Sequence, residues 1–175
     1  DQNLGDGNDG TDLLSGVEIL QFMDGKIQPP AVGVIDLATL NGNTGFTLIG
    51  IDEFDTSGRS VSSAGDVNGD GFDDVIVGAS SAGGPYGEGE AYVVFGKANW
   101  AGTPSLGLGM LDGVNGVRLI GVDDSDGTGF SVSTAGDVNG DGFADVIVGA
   151  IRAMSPGGAD DEGASYVVFG KESWT

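Results

Sequence analysis

One nine-residue pattern rich in oxygen-bearing side chains occurs twice in the chain. Asp, Asn, Asp and Asp stand at its positions 1, 3, 5 and 9, and glycines at positions 4 and 6 permit the left-handed backbone that turns side chains inward. Ca²⁺, which takes roughly six to eight oxygen ligands at flexible angles, suits this set. We therefore expect two Ca²⁺ sites, each with a backbone carbonyl at position 7 as a further ligand. The expected ligands are Asp66, Asn68, Asp70, the Phe72 carbonyl and Asp74 in the first copy, and Asp137, Asn139, Asp141, the Phe143 carbonyl and Asp145 in the second.

Alternative interpretations of the two loops can be weighed in the sequence itself. An EF-hand loop needs a bidentate Glu at position 12 and a dockerin-type loop needs an acid there, but the twelfth residues are Val77 and Val148. Both helical types of loop are therefore excluded. A polar turn without metal remains an alternative, because Asn, Asp and Gly are ordinary turn residues. Position 8 differs between the copies, Asp73 against Ala144, which indicates that this residue is not a ligand.

The loops belong to a longer internal repeat. Residues 40–79 align with residues 111–150 at an offset of 71 without a gap, and 27 of these 40 positions are identical. After a divergent glycine-rich loop the copies realign at an offset of 74, as residues 91–97 and 165–171. A period of this kind is typical of architectures that stack similar structural units.

Short strands must position these loops. The apolar runs at residues 46–51, 75–77 and 92–95 are rich in β-branched residues and bounded by turn residues, and no helical period is sustained. We predict an all-β fold of β-propeller-type blades, with three or four strands per repeat. The predicted division is residues 1–28 as an N-terminal β segment, 29–39 as a linker and lead-in strand, 40–97 as the first repeat, 98–110 as a connection, 111–171 as the second repeat and 172–175 as the start of the next connection.

Composition argues against several classes of protein. The 175 residues include no His and no Cys, so the chain cannot supply a Ser-His-Asp triad, a Cys-His nucleophile, a zinc cage or a disulfide. The formal net charge of -21 repels nucleic acid and anionic membrane surfaces, and the six basic residues are scattered singly. No run approaches the roughly 18 apolar residues of a membrane-spanning helix. We therefore expect no catalytic residues, no nucleic-acid partner and no membrane span.

The segments around the two loops resemble FG-GAP repeats, the blades of integrin-α-like β-propellers. The resemblance rests on residues 61–79 and 132–150, where the loop is flanked by Ser-Val-Ser and by Val-Ile-Val-Gly-Ala. It covers roughly residues 35–175. The resemblance implies about one four-stranded blade per repeat, with Ca²⁺ bound through loop positions 1, 3, 5, 7 and 9.

Residues 10–25 resemble the segment that closes haemolysin-type (RTX) calcium repeats in secreted bacterial proteins. The resemblance is carried by Gly-x-Asp-x-Leu at residues 10–14 and by Leu-Gln-Phe-Met-Asp-Gly at residues 20–25, whose Asp-Gly pair is a turn signal. The RTX nonapeptide pattern is degenerate here. A β-hairpin is therefore expected in this segment in preference to a third calcium site.

Features that recur outside the loops have plain structural interpretations. The acidic runs at residues 52–55 and 123–126 are expected to be solvated surface in preference to a weak cation site. The repeated tyrosines begin apolar strands and are expected in the core or at a blade interface. The repeated tryptophans are interpreted as anchors between blades in preference to carbohydrate-stacking platforms. These aromatic pairs are Tyr92 with Tyr166 and Trp100 with Trp174.

These observations predict a calcium-binding structural or adhesive module of a secreted bacterial protein, at the cell surface or outside the cell. The alternative is a non-catalytic accessory module of a large extracellular hydrolase. The sequence does not identify the protein or glycan that such a surface would bind. Two repeats cannot close a propeller ring, so residues 75–77 and 146–148 are expected to lie on uncovered faces. We expect the chain either to self-associate or to be completed by further blades in a longer chain.

Overall fold

The computed structural model describes residues 20–21, 27–28, 33–84, 87–153 and 162–175. The chain divides into two units, Asp1–Thr39 and Leu40–Thr175. In the first unit, strand β1 (Leu20–Gln21) pairs antiparallel with strand β2 (Ile27–Gln28), which confirms the predicted hairpin. A short 3₁₀ helix, Leu37–Thr39, ends this unit, and the Asp36 carboxylate caps it by accepting the Ala38 amide at 2.9 Å.

The second unit is built from short strands. Its described residues contain no α-helix, and a three-residue 3₁₀ helix, Leu108–Met110, is the helical element among them. The predicted all-β fold is confirmed. The strands are β3 (Thr47–Ile49), β4 (Ser60–Gly65), β5 (Asp74–Ala79), β6 (Glu90–Val94), β7 (Ser105–Gly107), β8 (Gly116–Ile120), β9 (Thr128–Gly136), β10 (Asp145–Ala150) and β11 (Ala164–Val168).

Seven of these strands form two antiparallel sheets, both consistent with β-propeller blades, and the other two form a parallel pair. Strands β4, β5, β6 and β8 form a four-stranded sheet in that order, while β9, β10 and β11 form a three-stranded sheet. The fourth strand of the first sheet, β8, comes from the second sequence repeat. The equivalent strand of the first repeat, β3, instead pairs in parallel with β7. The sheets are therefore out of phase with the sequence repeat by one strand.

Two apolar cores hold the second unit together. One core lies between the antiparallel sheets and includes Ile76 and Val93 from the first sheet with Val146 and Val148 from the second. The other core covers the opposite face of the four-stranded sheet with the side chains of β3, β7 and the 3₁₀ helix that follows β7. Burial of apolar area on both faces of one sheet explains why residues 91–94 of β6 are consecutively apolar.

The expectation that residues 75–77 and 146–148 would lie on uncovered faces is wrong for most of these side chains. Ile76, Val77, Val146 and Val148 are buried, and Val75 keeps 37% of its surface exposed. The sheet-to-sheet core covers Ile76, Val146 and Val148, and the second core covers Val77. The physical reason is that the sheets pack on each other and the parallel pair β3–β7 covers the opposite face of the first sheet, two contacts that the repeat pattern does not show.

Candidate metal centre

The two predicted cation loops occupy equivalent turns in the two sheets. The first, residues 66–73, connects β4 to β5, and the second, residues 137–144, connects β9 to β10. Gly69 and Gly71 have φ of +74° and +88°, and their counterparts in the second loop have +78° and +93°. Residues with a Cβ rarely adopt this left-handed backbone, so the glycines of the motif are needed to fold the loop.

The first Asp of each loop organises the turn. The Asp66 carboxylate accepts backbone N–H groups from Gly69 at 2.7 Å, Asp70 at 3.0 Å and Gly71 at 2.9 Å. The Asp137 carboxylate accepts the corresponding three amides at 2.7, 3.1 and 2.9 Å. Because a carboxylate has about four acceptor positions, these bonds use most of its capacity and still leave room for a further partner.

The oxygen side chains at positions 3 and 5 lie together on the exposed side of the loop. The Asn68 amide donates to the Asp70 carboxylate at 2.9 Å, and the Asp70 backbone amide donates to the Asn68 side-chain oxygen at 3.1 Å. The Phe72 amide in turn donates to Asp70 at 2.9 Å. The same three contacts recur among Asn139, Asp141 and Phe143. The Phe72 and Phe143 carbonyls that were predicted as ligands therefore lie at equivalent points of two similar loops.

The last Asp of each loop is buried. Asp74 accepts the Val67 amide at 2.9 Å and the Gly96 amide at 2.8 Å, and it is 1% exposed. Asp145 does the same with the amides of Val138 and Gly170. The pKa of Asp74 is raised to about 6, chiefly by burial; the two backbone hydrogen bonds lower the pKa, and the nearby charges of Asp70 and Asp66 add a smaller rise. This residue ties the start of the loop to the end of the third strand of the sheet.

The donor set of each loop matches a hard cation in kind. All its oxygens come from carboxylate, amide and carbonyl groups, which Ca²⁺ prefers. Within the described residues, however, no group of three or more acidic side chains is arranged so that it could hold a metal ion. The carboxylates of each loop are turned toward backbone amides instead. Ca²⁺ binding by the ten predicted residues stays a prediction.

The two loops touch each other. The Ala144 amide of the second loop donates to the Asp66 carbonyl at 2.9 Å, and the Lys171 amide donates to the Val67 carbonyl at 2.9 Å. A Cβ at Gly69 would lie 2.5 Å from the ring of Phe143. The loops are therefore neighbours across the boundary between the sheets, a relation that the sequence repeat does not reveal.

The acidic runs outside the loops are only partly solvated, and the expectation of solvated surface is wrong for one residue in each. Asp55 and Asp126 are 4% and 2% exposed. Each carboxylate accepts a backbone amide three residues earlier, from Asp52 and Asp123 respectively, at 3.1 Å. These aspartates therefore close a turn, and their recurrence at the offset of 71 was the available signal.

A buried ion pair was missed by the sequence analysis altogether. Glu90 on β6 is 1% exposed, and its carboxylate accepts a hydrogen bond from Arg118 Nε at 2.6 Å, a second from the same guanidinium and one from the Tyr92 hydroxyl. Burial raises the pKa of Tyr92, and the hydrogen bond to Glu90 raises it further. Arg118 belongs to β8, so this pair joins the two sequence repeats. The only signal was an acid in β6 where the second repeat has Ala164.

The predicted aromatic anchors take up packing positions. Trp100 stacks on Phe46 with ring centroids 3.8 Å apart, and Trp174 packs at an angle against Phe95 at 6.4 Å. The ammonium groups of Lys97 and Lys171 lie over the two indole rings at 4.1 and 4.8 Å. Tyr92 is buried in the core, whereas Tyr166 is half-buried.

The FG-GAP repeat family matches residues 57–94 and 128–168 of this chain. Each match contains one of the loops and its flanking strands. The chain therefore contains two FG-GAP repeats. The matches leave out β3 and β8, so the strand that completes the four-stranded sheet lies between the two FG-GAP segments.

Integrin α subunits are among the proteins to which this chain is similar. Integrin alpha pat-2 of Caenorhabditis elegans is 36% identical over 122 residues, which is 69% of this chain and 9% of that protein. Integrin alpha-V of Gallus gallus is 31% identical over 149 residues, or 82% of this chain and 14% of that protein. The chain thus spans a small part of the length of these relatives. Across the described part of the chain, no helix is both long enough and apolar enough to cross a membrane.

Proposed function

We propose that this chain is a calcium-binding structural and adhesive module of a protein that acts outside the cell or at its surface, without catalytic activity of its own. The observation that carries the proposal is that two nine-residue loops, 71 residues apart, fold with the same set of hydrogen bonds around the same oxygen side chains. The FG-GAP repeats and the similarity to integrin α subunits support an adhesive role.

The proposed ligands in the first loop are Asp66, Asn68, Asp70, the Phe72 carbonyl and Asp74, with the equivalent five residues in the second. When bound, Ca²⁺ would neutralise the mutual repulsion of the carboxylates in each loop. The residues of each loop hold its shape: the glycines adopt the left-handed backbone of the turn, and the first Asp accepts hydrogen bonds from three backbone amides. The last Asp ties the loop to the third strand.

The partner of the proposed adhesive surface is a protein or a glycan, and completion of the blades by self-association or by further repeats belongs to the same proposal. Origin in a bacterial secreted protein rests on the RTX-like residues 10–25. Apart from β1, these residues lie outside the part of the chain that the structure describes.

Thermal unfolding in EGTA, in Mg²⁺ and in Ca²⁺ tests the calcium proposal. If each Kd is on the order of 0.1 mM, about 2 mM Ca²⁺ stabilises the fold by roughly 1.8 kcal/mol per site through mass action. Mg²⁺ is expected to have less effect, because it demands near-octahedral geometry and dehydrates reluctantly. Coincident melting curves in EGTA and Ca²⁺ would reject the calcium sites.

Isothermal titration of single variants tests whether each loop binds one Ca²⁺ ion. Asp70→Ala and Asp141→Ala are each expected to remove one equivalent of bound Ca²⁺. Asp73→Ala is the matched control, because Asp73 is an exposed acid in the same loop whose counterpart is Ala144. An equal loss of binding in Asp73→Ala would mean that general negative charge, and not a defined site, attracts the ion.

A further inference from the structure

An open cavity of about 380 Å³ lies beside strand β8. One wall is β8 itself, including Leu119, and the other wall is the three-stranded sheet, with Val148 of β10 and Tyr166 and Val168 of β11. Most of this lining is apolar. Val148 is itself buried in the core between the sheets, so the apolar surface that the cavity leaves partly exposed is that of Leu119, Tyr166 and Val168.

In the first repeat, the position equivalent to this cavity is filled by protein. The repeat offsets of 71 and 74 relate the four lining residues to Leu48, Val77, Tyr92 and Val94, all of which belong to the second core. What fills that position is the segment of residues 105–110, which consists of β7 and the 3₁₀ helix after it. In the first repeat, this segment therefore covers the position that the open cavity occupies in the second.

Two leucines of the filling segment make the contact. Strand β7 runs parallel to β3 with Leu106 opposite Leu48, and Leu108 at the start of the 3₁₀ helix is 1% exposed. Ser105, in contrast, is exposed. The segment therefore docks through alternate residues, as a strand added to the edge of a sheet does.

The chain contains a second segment of the same design. Residues 34–39 correspond to residues 105–110 at the offset of 71, and both end in a three-residue 3₁₀ helix at the same place. Ile35 takes the place of Leu106, and Leu37 takes the place of Leu108. Their side chains are 67% and 74% exposed. The two apolar positions that are covered in residues 105–110, at Leu106 and Leu108, are thus exposed in residues 34–39.

We propose that residues 34–39 of a second copy of this chain dock in the cavity beside β8. The segment adds in parallel to β8 as β7 adds to β3, with Ile35 opposite Leu119 and Leu37 in the position that Leu108 holds in the first repeat. Such a contact joins two different surfaces, so copies associate head to tail. This proposal rests on the self-association included in the proposed function and goes further by naming the segment that docks and the cavity that accepts it.

Sedimentation velocity of the full chain in Ca²⁺, over a range of micromolar concentrations, tests the segment. Full burial of one Ile or Leu side chain is worth on the order of tenfold in an equilibrium constant, so Ile35→Asp and Leu37→Asp should each weaken association by about tenfold or more. Val34→Asp is the matched control. Val34 is 70% exposed and equally apolar, but its counterpart is the exposed Ser105, so association should change by less than about twofold.

Disulfide trapping tests whether the segment docks beside β8. The chain has no cysteine, so each engineered thiol reports on one position. Oxidation of a mixture of Ile35→Cys and Leu119→Cys chains should give a covalent heterodimer, whereas a mixture of Val34→Cys and Leu119→Cys chains should not. The Leu48→Cys/Leu106→Cys double variant gives the reference geometry within one chain, because these residues are paired across β3 and β7.

Four results would overturn the docking proposal. They are a chain that stays monomeric at every concentration, equal weakening by Val34→Asp, equal cross-linking by Val34→Cys, and a lower melting temperature of the dilute Ile35→Asp monomer. The last would mean that residue 35 packs within its own chain. Calorimetric titration of the same samples separates the two proposals, because calcium binding without association rejects the docking and leaves the calcium sites intact.

Discussion

The third strands of the two sheets carry nearly the same residues in different surroundings. Both contain Tyr-Val-Val followed by Phe-Gly-Lys, yet every residue of β6 is buried, while β11 alternates between exposed and half-buried. Phe95 is 4% exposed and its counterpart Phe169 is 52% exposed. The difference lies in the neighbours, because β6 is flanked by β5 and β8 and covered on both faces, whereas β11 pairs with β10 alone among the described strands. Burial is therefore set by the position of a repeat in the stack and not by its residues.

Truncation of the same residue in both repeats is expected to show the largest difference between them. Phe95→Ala is expected to lower the free energy of unfolding by about 3 to 5 kcal/mol, because it opens a cavity in the core between the sheets. Phe169→Ala should cost less than about 1 kcal/mol, since half of its side chain is exposed. Urea unfolding of both variants measures the difference. Equal losses would show that Phe169 is buried in solution, and that a partner covers it.

The ion pair between Glu90 and Arg118, whose counterparts in the other repeat are Ala164 and Thr47, gives the next largest effect. Arg118→Thr introduces the residue found at the equivalent position 47, and it leaves Glu90 buried without its cation. The expected loss of unfolding free energy is about 2 to 3 kcal/mol, below the usual range for buried pairs because Arg118 is itself 46% exposed.

A double-mutant cycle separates the pair from its parts. Glu90→Ala copies Ala164 of the second repeat, and the double variant Glu90→Ala/Arg118→Thr should be more stable than Arg118→Thr, since no buried charge remains. Thermal melts of the four proteins at one pH provide the coupling energy. Additive losses would mean that Glu90 and Arg118 contribute independently to the free energy of unfolding. The ion pair would then not account for any difference in stability between the two repeats.

The smallest expected difference concerns the glycines at position 4 of the two loops. Gly69→Ala and Gly140→Ala both place a Cβ on a left-handed residue, which costs about 1 kcal/mol in each loop. The added Cβ at residue 69 also meets the Phe143 ring, whereas nothing lies within 4 Å of a Cβ at residue 140. Gly69→Ala should therefore be less stable by a further 1 to 2 kcal/mol or so. Identical melting curves for the two variants would show that the loops do not touch in solution.

Features that depend on neighbours along the chain were predictable from the amino-acid sequence. The two loops, their glycines and the strands that flank them follow from turn chemistry and from β-branched runs within a few residues, and the structure has them where they were predicted. The hairpin of β1 and β2 also needed only a local turn signal. Local rules suffice here because each of these elements is stabilised by hydrogen bonds over a short stretch of chain.

The contacts between residues of different repeats became apparent from the packing of the sheets. Strand β8 completes the sheet of the preceding repeat, Glu90 and Tyr92 meet Arg118 from that strand, and the second loop lies against Asp66 of the first. The burial of Asp55 and Asp126 was likewise not visible in their acidic surroundings in the sequence. Two nearly identical repeats offer each strand two nearly identical partners. Stacking selects between them by the apolar area and the ion pair that each arrangement buries, and those quantities exist only once the sheets are packed together.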